Sequence, residues 1–191
     1  MYGLVGYFWY TAGMAFCDPK QVVAQLGIAS GMHVADFGAG AGYFSVAVAE
    51  QVGSQGVVYV VDIQQELLTK VTHLAKRQHL DSLVFVHADL EGGSGSTLPP
   101  ESLKLVLLTN VLFQMEKKLE VLQEAYRVLA VGGFLLLVDW SESYGGLGPQ
   151  PEHVLTERQA RALLKEAHFS YHKRIDAGAH HYGLLCQKKH G

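Results

Sequence analysis

The sequence predicts a single α/β domain, a seven-stranded, mostly parallel sheet with helices on both faces. Three observations predict it. Apolar runs of strand length alternate along the 191 residues with helical stretches, and that length fits one domain with a sizeable core. The run from Leu103 to Thr109 is almost continuously apolar, as a strand buried on both faces should be. The stretch HVADFGAGAGYF, residues 33 to 44, joins a short apolar strand to a helix through Gly38, Gly40 and Gly42. Residues without Cβ at such a junction allow unusual dihedrals and let a ligand touch the backbone.

The elements follow in order. Asp18-Pro19 is a helix start, an N-cap followed by proline at the first helical position, and Gly27 is its stop. Val34 to Phe37 read as a buried strand, and Tyr43 to Val52 as a helix with Phe44, Val48 and Val52 one turn apart. Gly53 and Gly56 bracket a turn before a second strand, Val57 to Val61, which ends at Asp62. Glu66 to His79 form a helix with Leu67, Val71, Leu74 and Ala75 on one face, and Leu83 to His87 a third strand. Residues 91 to 101 are rich in glycine, serine and proline, a surface loop before the strand from Leu103 to Thr109.

Lys117 to Ala130 form a helix through Leu122, Ala125, Tyr126 and Leu129, and a Gly-Gly turn then leads into the apolar fifth strand. Trp140 to Leu155 are a long loop. Thr156 with Gln159 is a capping box for a helix marked by Ala160, Leu163, Leu164 and Ala167. Tyr171, Lys173 and Ile175 alternate with polar residues as in an edge or half-buried strand, and Gly183 to Gln187 close the chain as another strand.

A formal charge of −3 and a pI near 6.3 lack the basic footprint of a nucleic-acid binder, so nucleic acid is not favoured as a partner. Cys17 and Cys186 are far apart and form no metal-type pair, which points to reduced thiols in a cytoplasmic protein. The first seventeen residues are uncharged and rich in aromatics, yet they lack the basic start of a signal peptide and the length of a membrane span. The favoured reading is a lid over a pocket, with a dimer contact or a membrane contact as the competing accounts. His180 and His181 are neighbours that point to opposite faces of a strand, so no metal is expected there.

At the glycine junction a dinucleotide site would place a third glycine where Tyr43 stands. The pattern is instead Asp36-x-Gly38-x-Gly40-x-Gly42, and an acid two residues before the first glycine would repel a pyrophosphate but suit an ammonium group. This resembles motif I of the class I S-adenosylmethionine (SAM) methyltransferases. Further along, LLTNVLFQM resembles the family's motif IV, RVLAVGGFLLLVDW its R-x-L-x-P-G-G turn with Val131 in place of proline, and GLGPQPEH a stretch of some ubiquinone-type relatives. The resemblance runs from Asp18 to Lys188 and is nearest to the ubiquinone/menaquinone C-methyltransferase-like group. It implies a Rossmann-like sheet whose last strand is antiparallel.

The resemblance also implies roles. Asp36, Gly38, Ala39, Gly40, Gly42 and Tyr43 would hold SAM and its product S-adenosylhomocysteine. Asp62, with Ile63, would hold the ribose, its bland alternative being an N-cap for the following helix. Asp89 and Leu90 would meet the adenine, and Asn110 would line the space between cofactor and acceptor. Asn110 and Phe113 match the ends of the N-P-P-Y motif of DNA amino-methyltransferases, but Val111 and Leu112 replace both prolines, which counts against a nucleic-acid base as acceptor. His168-Phe169 stands where Gly-Phe is usual, and histidine enters the left-handed region less readily, so that turn is expected to be built differently.

A methyl acceptor that is carbon, oxygen or protonated nitrogen needs a base, and His153 and His181 are the candidates, on the C-terminal segments that face the cofactor in the resembled fold. Tyr10, Phe16, Trp140 and Tyr144 would line an aromatic pocket for a small planar or apolar acceptor. A macromolecular acceptor, RNA or protein, and a non-catalytic SAM-binding partner module remain the alternatives, and a homodimer is open.

Overall fold

Seven strands form one sheet in the order β3-β2-β1-β4-β5-β7-β6, and the order reverses direction between β1 and β4. The structure, a computed structural model, describes residues 17–146 and 148–189. Its elements are α1 (Pro19–Ala24), β1 (His33–Phe37), α2 (Tyr43–Val52), β2 (Val57–Asp62), α3 (Gln65–Gln78), β3 (Leu83–His87) and β4 (Leu103–Thr109). They continue with α4 (Lys118–Val128), β5 (Leu129–Trp140), α5 (Glu157–Glu166), β6 (Phe169–Ile175) and β7 (His181–Lys188). The first five strands of the chain pair in parallel, and β7 runs antiparallel between β5 and β6. The lid segment assigned to the start of the chain, with Tyr10 and Phe16, lies outside the described residues except for its last residue, Cys17, which is buried.

Alternation along the strands sorts their side chains into two apolar layers. Ala35, Phe37, Val106, Leu108, Leu135 and Leu137 pack toward α4 and α5, while Val34, Leu105, Leu107, Leu136 and Val138 pack toward α1, α2 and α3. The helices start where their caps say they should. The Asp18 side chain accepts from Lys20 N at 2.9 Å ahead of Pro19, and Thr156 and Gln159 close a reciprocal capping box at α5.

Several boundaries differ from expectation. The buried face of α3 is Leu68, Val71 and Ala75 rather than the set with Leu67 and Leu74, because the helix starts from Gln65 and is rotated to put Leu68 on the sheet. Helix α4 stops at Val128, and Leu129, fully buried, opens β5. The Gly-Gly turn is a bulge inside that strand: Leu103 pairs with Leu129 but Leu105 with Phe134, and Gly132 at φ 81° absorbs the extra residues. Trp140 is the last residue of β5, not the first of a loop. His168 does occupy the left-handed region, at φ 66°, so the turn is built as a glycine would build it. Edge strand β6 loses its alternation at a register shift between Tyr171 and Lys173.

Candidate active site

In an open parallel sheet the crevice lies beyond the carboxyl ends of the strands, where the strand order reverses. Here that is the gap between β1 and β4. Asp36 is the penultimate residue of β1 and Gly38 follows that strand, Asp62 ends β2, Asp89 follows β3, Asn110 follows β4 and Trp140 ends β5. The fold therefore lines up along one sheet edge the residues that the sequence scatters over a hundred positions.

The three glycines of the junction do different work. A Cβ on Gly38, at φ 70°, would overlap the Val111 side chain just beyond β4, and one on Gly42, at φ 78°, would lie 2.6 Å from Val71 Cγ1 of α3. These two let protein pack on protein. Gly40, at φ 56°, has none of the described residues within 4 Å of its Cβ position, so of the three it alone presents backbone that no described neighbour packs against. Its N–H donates to Asp62 Oδ2 at 2.8 Å, and the other Asp62 oxygen accepts from Gln64 N at 2.8 Å. One carboxylate thus ties the glycine loop to the entry of α3. Each oxygen retains a further lone pair.

Asp36 is fully buried. Its Oδ2 accepts from Ser45 Oγ of α2 at 2.6 Å, and among the described residues Oδ1 has no hydrogen-bond partner. Burial pushes this carboxyl up to about 6; the Ser45 hydrogen bond opposes the shift, and the neighbouring charge of Asp62 adds to it. Asn110 is held at φ 54°, its N–H donating to Val138 O at 2.8 Å, and its buried Oδ1 likewise lacks a partner among the described residues. Two acceptors without donors thus flank the reversal point of the sheet. Together with Asp62 they make an acidic, acceptor-rich crevice suited to a cation with hydrogen-bond donors.

Beside β2, the Asp89 side chain accepts from Glu91 N at 2.9 Å and shapes the turn after β3. Ile63 is 57% exposed, and His87 Nε2 meets its carbonyl at 2.8 Å. Tyr43 is 41% exposed at the start of α2, next to Ala39 and the loop. The Leu90 side chain is buried in the layer under α4.

At the β5 end, Trp140 is buried, and its ring lies 4.2 Å from that of His181, the residue paired with it on β7. The backbone of Gly148 lies so close to the indole that a Cβ there would be 2.7 Å from Cδ2. Trp140 is therefore a covered wall of the crevice in this conformation rather than an open lining. Tyr144 stacks on His180, with ring centroids 3.9 Å apart, and His180 Nδ1 meets Glu142 Oε1 at 2.6 Å. The two candidate bases separate. His181 is buried at Trp140, whereas His153 sits exposed in a short 3-10 turn, Pro151–His153, and no described contact ties its side chain to the crevice.

Asp139 was not singled out by the sequence reasoning. It is fully buried, its oxygens accept from Trp140 N and Phe113 N, both at 2.9 Å, and burial pushes its carboxyl up to about 7 against those hydrogen bonds and the charge of Lys118. It pins the turn after Asn110 to the end of β5. The available signal was an acid closing an apolar strand, the pattern already used for Asp36 and Asp62. Among the described residues no three His, Cys, Asp or Glu side chains gather as a metal site, and no helix is long and apolar enough to cross a membrane.

This fold and crevice are those of a methyltransferase domain, and the chain belongs to that family, whose profile it matches over residues 28–187. Among curated proteins it is 30% identical over 125 residues to the ubiquinone/menaquinone biosynthesis C-methyltransferase UbiE of Marinomonas sp. (strain MWYL1), covering 64% of this chain and 48% of that protein. It is 29% identical to the demethylmenaquinone methyltransferase of Lactiplantibacillus plantarum, covering 64% of this chain and 51% of that protein. The chain thus spans about half the length of the curated relatives it matches. Among solved structures, a SAM-dependent methyltransferase from Aquifex aeolicus superposes with a TM-score of 0.83 at 23% identity over 92% of each chain, a likeness of fold.

Proposed function

We propose that this chain binds SAM along the ends of β1 to β4 and transfers its methyl group to a small, planar or apolar acceptor at the β5 side. The observation that carries the reading is the backbone at Gly40, hydrogen-bonded to Asp62 and flanked by buried oxygens of Asp36 and Asn110 that have no hydrogen-bond partner among the described residues. Those groups fit the ligand. Asp36 would face its cationic amino-acid end, Asp62 would accept from the ribose hydroxyls with its remaining lone pairs, and Asp89 with the Leu90 backbone would meet the adenine. Ile63 and Tyr43, both partly exposed, would supply apolar cover, and Asn110 would line the passage to the acceptor. The sulfonium of SAM provides a good leaving group, so the protein's task is to align the acceptor and exclude water. The relatives named as quinone-biosynthesis methyltransferases support a small-molecule acceptor.

Calorimetry tests the reading. SAM and S-adenosylhomocysteine bind at micromolar concentration and NAD does not, because a pyrophosphate at the glycine junction would meet the carboxylates of Asp36 and Asp62. Asp62→Ala weakens SAM by about 1.5–3 kcal/mol, the loss of hydrogen bonds to a charged acceptor. Binding of NAD in preference to SAM would replace methyl transfer with a dinucleotide-dependent reaction.

A further inference from the structure

We propose that His181 is the catalytic base, its Nε2 taking the proton of a hydroxyl-bearing acceptor seated at the carboxyl end of β5. The inference rests on the methyl-transfer reading and adds the proton acceptor and the kind of acceptor it serves.

Three features of the ring carry it. His181 Nδ1 lies 3.0 Å from the carbonyl oxygen of Ala179, an atom that can only accept, so Nδ1 holds the proton and Nε2 is left with its lone pair. That Nε2 is buried and has no hydrogen-bond partner among the described residues. A basic nitrogen held out of water without a donor is costly for a purely structural residue, because burying it unmade forfeits its hydrogen bond to water. The third feature is position. His181 pairs with Trp140 at the carboxyl end of β5, on the sheet face that also carries Asp36, and β5 is the strand next to β4, which Asn110 follows. An acceptor at β5 would lie between the cofactor side and this nitrogen.

The electrostatic surroundings keep the base ready. Burial holds the ring below the usual histidine range, the bond to Ala179 works against that, and neighbouring His180 adds to the lowering. His180 is itself paired with Glu142 of the loop after β5 and stacked on Tyr144. Asp139 and its partner on β7, Tyr182, alternate to the other face of the sheet. The imidazole is therefore neutral at pH 7. In the reaction the acceptor oxygen forms the new bond to the methyl carbon while the carbon–sulfur bond breaks with its electron pair on sulfur. The hydroxyl proton passes to Nε2, and the imidazolium later releases it to solvent. No oxidant or reductant is required.

The test uses the full chain, with catechol as the protic probe and thiophenol as a probe that ionises without help. SAM affinity is measured first by calorimetry: if wild type does not bind SAM, the methyl-transfer reading fails and the assignment falls with it. With SAM bound, His181→Ala and His181→Gln are expected to keep SAM affinity, to lose about a hundredfold or more in rate toward catechol, and to change little toward thiophenol. Added imidazole should restore part of the His181→Ala rate. Equal losses with both probes, or no loss, would overturn the assignment while leaving SAM binding intact. Should the variants not fold or neither probe react, nitrogen NMR of histidine-labelled wild type decides: a neutral Nδ1–H ring at pH 7 supports the proposal, and an Nε2–H or doubly protonated ring refutes it.

Discussion

Replacing Asp36 by asparagine should make the protein more stable and less able to bind its cofactor, with a pH dependence that only a buried carboxyl explains. The side chain is fully buried, one oxygen is used by Ser45 and the other has no partner among the described residues. In the unfolded chain the carboxyl ionises near 3.8, whereas in the fold it holds its proton up to about 6. The folded pKa is raised, so the fold is favoured most below 3.8, loses stability as pH rises from 3.8 to about 6, and stays penalised above that. At 1.36 kcal/mol for each tenfold change, the penalty at pH 8 is about 3 kcal/mol. Asparagine keeps an oxygen for Ser45 and carries no charge, although its amide N–H groups gain no partner, which returns about 1 kcal/mol of the gain. Urea unfolding without ligand should then find Asp36→Asn about equal to wild type at pH 4 and about 2 kcal/mol more stable at pH 8. Its SAM binding should be severely weakened at pH 8, and wild-type affinity should fall about fivefold between pH 6 and 5 as the carboxylate protonates. A variant less stable than wild type at pH 8 would refute the argument, because it would show that the charge is already satisfied in the apo fold.

The glycines offer a second contrast. Gly38→Ala forces a Cβ into Val111 as well as a left-handed alanine and should cost about 2–4 kcal/mol in unfolding free energy, partly recovered by adding Val111→Ala. Gly40→Ala meets open space and should cost the fold only about 1 kcal/mol, but it should weaken SAM by more than that, which calorimetry on the folded variant reads directly. His168→Gly relieves a non-glycine residue at φ 66° and should stabilise by about 1 kcal/mol in thermal or urea unfolding; a loss would mean that the edge contact between His168 and Tyr126 outweighs the backbone strain.

Much of this protein was determined by its sequence alone. Buried strands written as apolar runs, caps written as Asp18-Pro19 and Thr156 with Gln159, and acids closing the strands at Asp36 and Asp62 are local signals, and local signals are legible because periodicity and capping act within a turn or two of chain. Spacing also put the glycine junction and the acid closing the second strand at the same sheet edge. Only the tertiary structure decided which glycines other side chains pack against, since Val111 and Val71 come from other elements to claim Gly38 and Gly42. It alone separated His181 from His153, through pairing with Trp140 across β5 and β7, and it alone showed Asp139 holding the turn after Asn110. The left-handed His168 and the bulge at Gly132 are of the same kind: packing of α5 and β6, and of β4 against β5, sets backbone dihedrals that propensity opposes. Contacts between residues distant in the chain carry no periodic trace in it, and the chemistry of the crevice is made of such contacts.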